Sequence, residues 1–423
     1  MLTNDQKAAY EGIKDFLLDP NKCGFYALEG YAGTGKTYLV CKLLEDIKKD
    51  ILVTAPTNKA LHVLMEGYPQ GHFKTLHSAF GLKPKITANG SYIFVAENRS
   101  KAVGYDYNII FVDEMSMVND DLFDILKEEM EKRSIKILFI GDKCQIPPVG
   151  QRYSKPCDDK TRERLGFKVF KLSEIVRQSK DSPIIKSSIE IRNNLEAPTH
   201  ILGNERLSEK EQIKPLLNKL FNNETFMNNS DYSKVLAWRN KTVDTFNNVI
   251  RGLIYGDKAK DRIVIGEKII ADSPIVDEET LLFSTNSEMT VINIVEFQDI
   301  INNISIPYYR ALVRDVDGDE KFIKILTWQG MLGYKERLVD LRNQTKGLTG
   351  KDSSRAWRRY YMFMNSYADI GYNYAITVHK SQGSTYENTL VLEYDIDKNN
   401  KMLERNRIKY TAMTRASKKL YII

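Results

Sequence analysis

Residues 30–37 read GYAGTGKT, which fits the pattern G-x-x-x-x-G-K-T. A short apolar run at 25–28 precedes this stretch, and a helical pattern over 38–49 follows it. Strand, glycine-rich loop and helix in this order are the context that a phosphate-binding loop requires. Glycines let backbone N–H groups surround a phosphate, and the helix N-terminus adds partial positive charge. The alternative is an ordinary glycine-rich turn, but the Lys-Thr pair in register favours a nucleoside triphosphate site.

The residues of this loop have separate expected roles. Lys36 would reach the β- and γ-phosphates, and the Thr37 hydroxyl would hold Mg²⁺. The residues of the loop predicted to bind the nucleotide are Gly30, Gly33, Thr34, Gly35, Lys36 and Thr37.

The composition limits the classes to which the protein can belong. Its 423 residues are enough for two to four domains, and no run of eighteen apolar residues could span a membrane. Four widely spaced cysteines favour neither a disulfide framework nor a zinc site. The net charge of +6 suits a polyanionic partner without proving one. Because the N-terminus lacks the features of a signal peptide, we expect action in the bacterial cytosol, or in a host if a phage encodes the protein.

The hydrophobic pattern predicts an α/β protein. Short, β-rich apolar runs at 25–28, Ile51–Ala55, Ile109–Val112 and 137–140 alternate with helical patterns. Such alternation predicts a parallel sheet with helices on both faces.

A second alternating block begins at 235–238 and continues into a helical stretch at 242–253. Its further strand candidates are 263–271, 389–392 and 420–423. A different pattern interrupts this block: β-type alternation at 289–295, 308–313 and 322–326, with a hairpin turn at Asp317-Gly318. The stretch over 331–364 that follows is helical or irregular. A smaller insertion at 83–107 contains a predicted β-hairpin around Asn89-Gly90.

Two carboxylates follow the third strand of the first block. Asp113 and Glu114 would lie at the carboxyl edge of the sheet, where the phosphate loop also lies. Asp113 can then bind the Mg²⁺ held by Thr37, and Glu114 can polarise the attacking water. Gln145, in the loop after the fourth strand, would sit beside the γ-phosphate, although a polar loop stiffened by two prolines is the alternative.

Two arginines complete the predicted catalytic set. Arg177 and Arg415 would stabilise the negative charge that phosphoryl transfer spreads over the equatorial oxygens. Taken singly, each arginine is more typical of a surface ion pair.

The ordered motifs resemble those of superfamily 1 helicases, in the 5′-to-3′ branch of RecD-like and Dda-like phage helicases. The resemblance covers nearly the whole chain. The matching segments are Leu2-Thr3 with Gln6, then 30–37, 55–60, 75–77, 113–114, 141–149, 172–178, 377–385 and 410–416.

This resemblance implies two RecA-like motor domains with ATP between them. The first would span 1–175, with 83–107 as a pin hairpin. The second would comprise 176–273 and 370–423, interrupted at 274–369 by an SH3-like barrel and a helical tower.

The resemblance also implies roles for single residues. Gln6 would read adenine, and Gly383 would sense the γ-phosphate together with Gln145 and the two arginines. The residues that would contact DNA are Pro56, Thr57, His77, His379 and Lys380. For the two histidines, a buried or capping role is the alternative.

Two regions of the insertions are candidates for further DNA contact. Tyr92 and Phe94 of the pin could stack against the last base pair, or form one face of a packed ribbon. Within 331–365, eight basic and three acidic residues are interleaved with aromatic ones. That composition suits a single-strand path, and a solvated helix with a core-facing aromatic stripe explains it nearly as well.

The leading hypothesis is therefore an ATP- and Mg²⁺-dependent DNA helicase that moves 5′ to 3′ on single-stranded DNA. Its expected partners are single-stranded DNA, junctions with duplex, and single-strand-binding protein or replisome components, with no membrane and with activity as a monomer. A translocase that displaces proteins, an RNA-directed motor and an ATP-gated binding module are the alternatives.

Overall fold

The computed structural model describes residues 2–47, 49–86, 92–96, 102–174, 176, 182–207, 210–277 and 280–423, with side chains left out at 83–86, 92–94, 96 and 210. Within this part of the chain, no helix combines the length and apolar character needed to cross a membrane. The chain divides into two compact units. The first comprises Met1–Lys83, Phe94–Arg206 and Ser381–Ile423, and the second comprises Pro84–Ile93 and Leu207–Lys380. The domain boundaries predicted from the sequence stay a prediction.

The helices are α1 Asn4–Leu18, α2 Lys36–Asp46, α3 Asn58–Gly67, α4 Leu76–Ala79, α5 Asp120–Arg133, α6 Asp159–Arg164, α7 Pro183–Asn193, α8 Lys210–Phe221, α9 Glu224–Asn228, α10 Asn240–Tyr255, α11 Gly330–Gln344, α12 Gly350–Met364, α13 Glu393–Ile396 and α14 Met402–Met413.

The strands are β1 Gly24–Gly30, β2 Ile51–Ala55, β3 His72–Thr75, β4 Leu82–Ile86, β5 Tyr92–Ala96, β6 Ile109–Val112, β7 Lys136–Gly141, β8 Lys168–Leu172, β9 Glu205–Arg206, β10 Ser233–Ala237, β11 Lys268–Ala271, β12 Ile275–Asp277, β13 Thr280–Phe283, β14 Glu288–Ile301, β15 Ile304–Asp315, β16 Glu320–Leu326, β17 Ile370–Tyr372, β18 Ala375–Thr377, β19 Tyr386–Val391 and β20 Ala416–Ile422.

A six-stranded parallel sheet organises the first unit, in the order β3-β2-β6-β7-β1-β8. Its four central strands are those predicted from the sequence. They are apolar and almost wholly buried, as expected for strands covered on both faces. Because all six strands run in one direction, the segments that follow β1, β6 and β7 emerge at one edge of the sheet.

Helices cover both faces of this sheet. On one face, Ile13 of α1 and Leu39 of α2 pack against Leu28, Phe111 and Leu138. On the other face, Phe123 of α5 packs against Phe25, and Phe139 joins the same cluster. The first unit therefore contains a three-layer α/β domain, as predicted.

The carboxyl-terminal part of the chain adds more parallel strands to the first unit. β19 pairs with β20, and β20 pairs with β9. Buried Lys409 of α14 donates to the Thr199 carbonyl (2.8 Å) and to Glu393 (2.8 Å), so the ammonium is satisfied inside this layer.

The second unit contains an antiparallel sheet in the order β16-β15-β14-β11-β17. The predicted turn is present between β15 and β16, where Gly318 has φ +89°. Helices α11 and α12 follow β16, which confirms the helical expectation for 331–364. The β4–β5 pair likewise confirms the predicted hairpin strands, and its turn lies outside the described residues.

One strand prediction was wrong in length and in sheet. Residues 263–271 were expected to add a strand to the second α/β block, but β11 covers only the last four of them. It pairs antiparallel with β14 and β17. The reason is packing, because Ile269 and Ala271 enter the same core as Val291 and Ile323. The parallel pair of this unit is β10 with β18, flanked by α10.

Candidate functional site

The phosphate-binding loop connects β1 to α2, as the sequence predicts. Gly35 precedes α2 in the left-handed region, with φ +76°, a conformation that favours glycine. The Thr34 hydroxyl donates to the Tyr31 carbonyl (2.9 Å). The Lys36 ammonium donates to the Gly30 and Tyr31 carbonyls, at 3.0 and 2.9 Å. The lysine is therefore held over the loop, where a phosphate would bind.

Helix α1 is fixed to this loop through Gln6. The Gln6 side chain is 3% exposed. Its Nε2 donates to the Thr34 carbonyl (2.9 Å), and its Oε1 accepts from the Thr3 backbone N–H (3.0 Å) within a capping box. Gln6 thus lies at the predicted place, with both ends of its amide engaged by protein. Its role in reading adenine stays a prediction.

Three carboxylates surround Lys36. Burial lowers the pKa of Lys36, and the charges of Asp142, Glu114 and Asp113 act against this effect. The Lys36 ammonium therefore has three carboxylates near it, together with the positive charge of Arg192, which also lowers its pKa.

The predicted pair Asp113 and Glu114 follows β6 directly. Burial and, to a lesser extent, the charge of the neighbouring Glu114 raise the pKa of Asp113 to about 7, although the Glu114 backbone N–H and Lys36 act in the opposite direction. Glu114 has φ +50°, and its backbone N–H donates to Asp113 Oδ1 (2.9 Å). Its Oε2 is buried and accepts no hydrogen bond from the described residues. Two carboxylates with spare acceptor capacity at a desolvated site suit a cation or a water proton.

Asp142, at the end of β7, is a carboxylate that the sequence analysis did not single out. It is fully buried. It accepts hydrogen bonds from the Arg192 guanidinium, the Tyr410 hydroxyl and the Cys144 backbone N–H (3.0 Å). Although burial opposes the charge, Asp142 raises the pKa of Arg192. The guanidinium also lies 4.1 Å from the ring centroid of Tyr31 in the phosphate loop.

Sequence reasoning also missed Arg192, and no local signal could have revealed it. A single arginine near the end of a helix is usually a solvated group. Its role depends on α7 packing beside α14, which brings Arg192 to within 3.3 Å of the Tyr410 hydroxyl.

The loop that follows Asp142 is held by the carboxyl-terminal segments. The Ile146 backbone N–H donates to Thr411 Oγ1 (3.3 Å), and the Ile146 carbonyl accepts from Gln382 Nε2 (2.7 Å). Gln145 itself is 5% exposed, and its Oε1 has no partner among the described residues. The structure therefore brings the 141–149 segment together with the predicted motifs at 377–385 and 410–416.

Gly383 and Arg415 lie in the first unit, as does the 141–149 segment. Gly383 has φ +75°, and a Cβ placed on it would lie 3.0 Å from Ala60 Cβ and 3.4 Å from Thr57 Oγ1. Arg415 is 5% exposed and donates to the carbonyls of Ser384 (3.0 Å) and Thr411 (3.2 Å). Its contact with phosphate stays a prediction, and Arg177 lies outside the described residues.

Comparison with known proteins agrees with this geometry. Residues 1–213 match the AAA domain family, and residues 372–423 match the UvrD-like helicase C-terminal domain. The chain belongs to the AAA domain family, within superfamily 1 of the helicases.

Relatives of this helicase occur in viruses and bacteria. An uncharacterized protein of Acanthamoeba polyphaga mimivirus is 26% identical over 99% of both chains. The ATP-dependent DNA helicase dda of Enterobacteria phage T4 is 22% identical over 92% of both. A crystal structure of Bacteroides Pif1 bound to ssDNA has a TM-score of 0.56 and 17% identity, covering 100% of this chain and 92% of that one. The protein is accordingly a DNA helicase and an ATP hydrolase.

The helicase residues predicted to touch DNA are distributed over both units. In the first unit, Thr57 caps α3 by accepting from the Ala60 backbone N–H (3.4 Å), next to Pro56. His77, in α4, is half-buried, and burial lowers its pKa to about 4, so it is neutral near pH 7. In the second unit, the Lys380 ammonium pairs with Asp272. The side chains of Tyr92 and Phe94 lie outside the described part, and all these DNA contacts stay predictions.

Helix α12 of the second unit separates its aromatic and basic residues. Trp357 stacks on Tyr361 with their ring centroids 5.6 Å apart, and the ring centroid of Phe363 lies 5.4 Å from that of Tyr334 in α11. Arg358 and its basic neighbours are exposed; those neighbours are Lys351, Arg355 and Arg359. The aromatic residues thus pack among themselves, which favours the core-facing alternative for them and leaves the basic face open to solvent.

Proposed function

We propose that this helicase uses ATP to translocate 5′ to 3′ along single-stranded DNA and to separate the duplex ahead of it. The observation that carries the proposal is the position of the 141–149 segment. At one end Asp142 acts on Lys36 of the phosphate loop, and a few residues later Ile146 is bonded to Gln382 and Thr411. The polarity rests on the family resemblance.

The residues present fit ATP and a divalent cation. Buried oxygens without hydrogen-bond partners in the described structure, Glu114 Oε2 and Gln145 Oε1, mark a site built for polar ligands. The Thr37 hydroxyl and the Asp113 carboxylate are hard oxygen donors of the kind that Mg²⁺ prefers, and they would hold it. When bound, Mg²⁺ neutralises charge on the β- and γ-phosphates.

Each protein group then has a role in hydrolysis. Lys36 would release the Gly30 and Tyr31 carbonyls and bind the phosphates of ATP. The Glu114 carboxylate, whose Oε2 is buried, would accept a proton from the attacking water, and Gln145 would orient that water. Arg415 and Arg177 would stabilise the charge on the transferred phosphoryl group. For Arg415 this requires exchanging its bond to the Ser384 carbonyl for one to phosphate.

The same segments offer a route from the nucleotide to the DNA. Gly383, proposed to sense the γ-phosphate, lies against Thr57 and Ala60 at the start of α3. Pro56 and Thr57 are proposed to hold the DNA strand, together with His77, His379 and Lys380. A movement of the 381–384 loop on hydrolysis would therefore change the grip on the strand, which is what converts ATP turnover into steps.

The insertions would serve the DNA outside the motor core. We propose that the sheet containing β14–β16 is the SH3-like barrel and that α11 and α12 form its tower. The exposed basic face of α12 would then attract the phosphate backbone, and the β4–β5 hairpin would act as the pin. Neutralising these cations should lower DNA affinity and reduce its dependence on salt.

Strand displacement from tailed duplexes tests the proposal. A duplex with a 5′ single-stranded tail should be unwound with ATP and Mg²⁺, and a duplex with a 3′ tail should not. Lys36→Ala should abolish DNA-stimulated ATP hydrolysis while retaining much of the single-strand affinity. Unchanged ATPase activity in that variant would refute the assignment of the phosphate loop.

The same assay separates the alternatives. ATPase stimulation by single-stranded DNA without strand separation would indicate a translocase, and stimulation by RNA alone would indicate an RNA motor. If Tyr92→Ala combined with Phe94→Ala left the unwinding rate and ATPase unchanged, the hairpin would not be the pin.

A further inference from the structure

A cavity of about 890 Å³ lies in the first compact unit, and none of its lining residues belongs to the phosphate-binding loop. Its wall is formed by the 157–160 segment, the end of α7 with the residues after it, and α14. Five basic side chains line it: Lys143, Arg152, Lys160, Arg192 and Arg407. Its volume falls in the range of about 300–1,000 Å³ that small-molecule sites occupy.

Arg407 is the unusual residue of this cavity. It is 4% exposed. Its Nη1 donates to the Arg152 carbonyl (2.6 Å), and its guanidinium lies 4.7 Å from the ring centroid of Tyr153. Its Nε is buried with no hydrogen-bond partner, and in the described part of the chain no carboxylate forms an ion pair with it. A buried cation without a counter-charge is unfavourable unless a ligand supplies one.

The acidic residues of the cavity are engaged by groups other than Arg407. Asp159 pairs with Lys143 (3.0 Å), and Glu196 lies 3.9 Å from Arg152. Asp158 accepts from the Thr161 backbone N–H (2.9 Å) as the cap of α6. The positive charge of Arg407 therefore remains uncompensated by the protein groups around it. Burial accordingly lowers the pKa of Arg407.

We propose that this cavity binds the phosphate group of a small ligand, with Arg407 as the principal donor and Lys160 and Arg152 at the rim. The Arg407 guanidinium supplies the donors, because only its Nη1 donates to protein in the described part of the chain, and its charge strengthens a hydrogen bond to phosphate. The exposed Tyr153 ring offers a face on which the remainder of a larger ligand could stack.

Such a ligand would act on the motor through Arg192. This arginine lines the cavity, pairs with Asp142 and lies over Tyr31 of the phosphate loop. A phosphate in the cavity would compete with Asp142 for the Arg192 charge, and Asp142 is one of the carboxylates that act on Lys36. The site is thus placed to let inorganic phosphate, or the phosphate of a nucleotide, modulate ATP turnover. This consequence rests on the proposed function, whereas binding itself does not.

Thermal unfolding of the full chain carrying Lys36→Ala tests the proposal, because that change removes the main phosphate donor of the loop. Added potassium phosphate should raise Tm in a saturable manner, relative to potassium chloride at equal ionic strength. Adding Arg407→Met should abolish this rise. In phosphate-free buffer the same change should leave Tm unchanged or higher, because it removes a buried charge.

Rim and control variants guard against a folding defect in the Arg407 variant. Lys160→Gln should raise the Kd for phosphate by roughly threefold to tenfold. Lys132→Gln, at an exposed lysine on α5, removes the same charge away from the cavity and should leave the Kd unchanged. If both lysine variants weaken binding equally, the response is non-specific and the proposal is overturned.

The probe identifies the source of the phosphate group. A rise in Tm with inorganic phosphate that depends on Arg407 supports a site for the free anion. A rise in Tm that depends on Arg407 and occurs with ADP alone supports a site for a nucleotide. If neither probe gives a shift that depends on Arg407, or if only single-stranded DNA does, the proposal is wrong. Because no ATP turnover is measured, these outcomes are separate from failure of the proposed helicase function.

Discussion

Two neighbouring strands of the six-stranded sheet, β6 and β7, are followed by aspartates with opposite surroundings. Asp113, after β6, stands beside a second carboxylate, and burial raises its pKa to about 7. Asp142, after β7, is deeper in the protein but is satisfied by the Arg192 guanidinium, the Tyr410 hydroxyl and a backbone N–H.

The difference shows that burial alone does not define a reactive carboxylate. A buried carboxylate with a full set of donors is already neutralised and positions its partners. One with few donors beside a like charge remains able to bind a cation or a proton. We infer that Asp113 and Glu114 are the groups that bind the cation and the water proton. Asp142 is a positioning group that links the phosphate loop to α7 and α14.

The largest effect should come from Glu114→Gln. If Glu114 accepts the proton of the attacking water, this change should lower kcat for ATP hydrolysis by about 10²–10⁴-fold, because it removes a positioned base. ATP binding should persist, as equilibrium titration with a fluorescent ATP analogue would show. Glu131→Gln, at an exposed glutamate of α5, provides the control. Near-normal turnover in the Glu114 variant would assign the base to another residue.

Asp142→Asn should mainly lower the stability of the folded protein. It leaves the mostly buried Arg192 without its carboxylate, and breaking such pairs costs about 3–5 kcal/mol of the free energy of unfolding. Denaturant titration without nucleotide would measure this loss. An unchanged denaturation midpoint, combined with lost ATPase activity, would show that Asp142 takes part in the reaction itself. That result would remove the contrast with Asp113.

Tyr410→Phe should have a smaller effect of the same kind. It removes one hydrogen bond to a charged acceptor, worth about 1.5–3 kcal/mol, while Arg192 continues to neutralise Asp142. The loss should appear in the free energy of unfolding, with kcat reduced only modestly. Tyr394→Phe, at an exposed tyrosine, is the matched control. A loss of unfolding free energy as large as that of Asp142→Asn would mean that the Tyr410 hydroxyl, rather than the Arg192 guanidinium, is the main stabilising partner of Asp142.

The remaining effect is a pH dependence of stability that involves Asp113, and it should be small when measured as a change in Tm. The folded protein holds this proton up to about pH 7, whereas the unfolded chain releases it near pH 4. Stability from this group is therefore present below pH 4 and is lost as the pH rises to about 7. Without nucleotide, Asp113→Asn should gain a few degrees in Tm over the natural protein between pH 5 and pH 8. A difference in Tm between Asp113→Asn and the natural protein that stays flat across this pH range would contradict the raised pKa.

Much of the fold could be predicted because its central strands are locally distinctive. Strands β1, β2, β6 and β7 are continuous apolar runs, since helices cover them on both sides. The edge strands β3 and β8 were not predicted. They pair on one side and are more exposed, so lysines and a histidine interrupt their apolar pattern.

The candidate site divides in a similar way. The phosphate loop, Asp113, Glu114 and Gln145 could be found because each follows a recognisable strand. Arg192, Thr411 and Gln382 were not assigned roles in the nucleotide site, because their contacts join segments separated by up to 265 residues. Such contacts leave no spacing pattern in the chain.

The sequence by itself determined the order of strand, phosphate loop and helix, the two carboxylates after β6 and the helicase family, because these depend on short-range patterns and on local chemistry. Only the tertiary structure decided which carboxylates are paired, where Arg415 donates its hydrogen bonds, and that Arg407 is buried without a counter-charge among the described residues. Those properties depend on the desolvation and the charges that distant segments supply, which no local stretch of sequence contains.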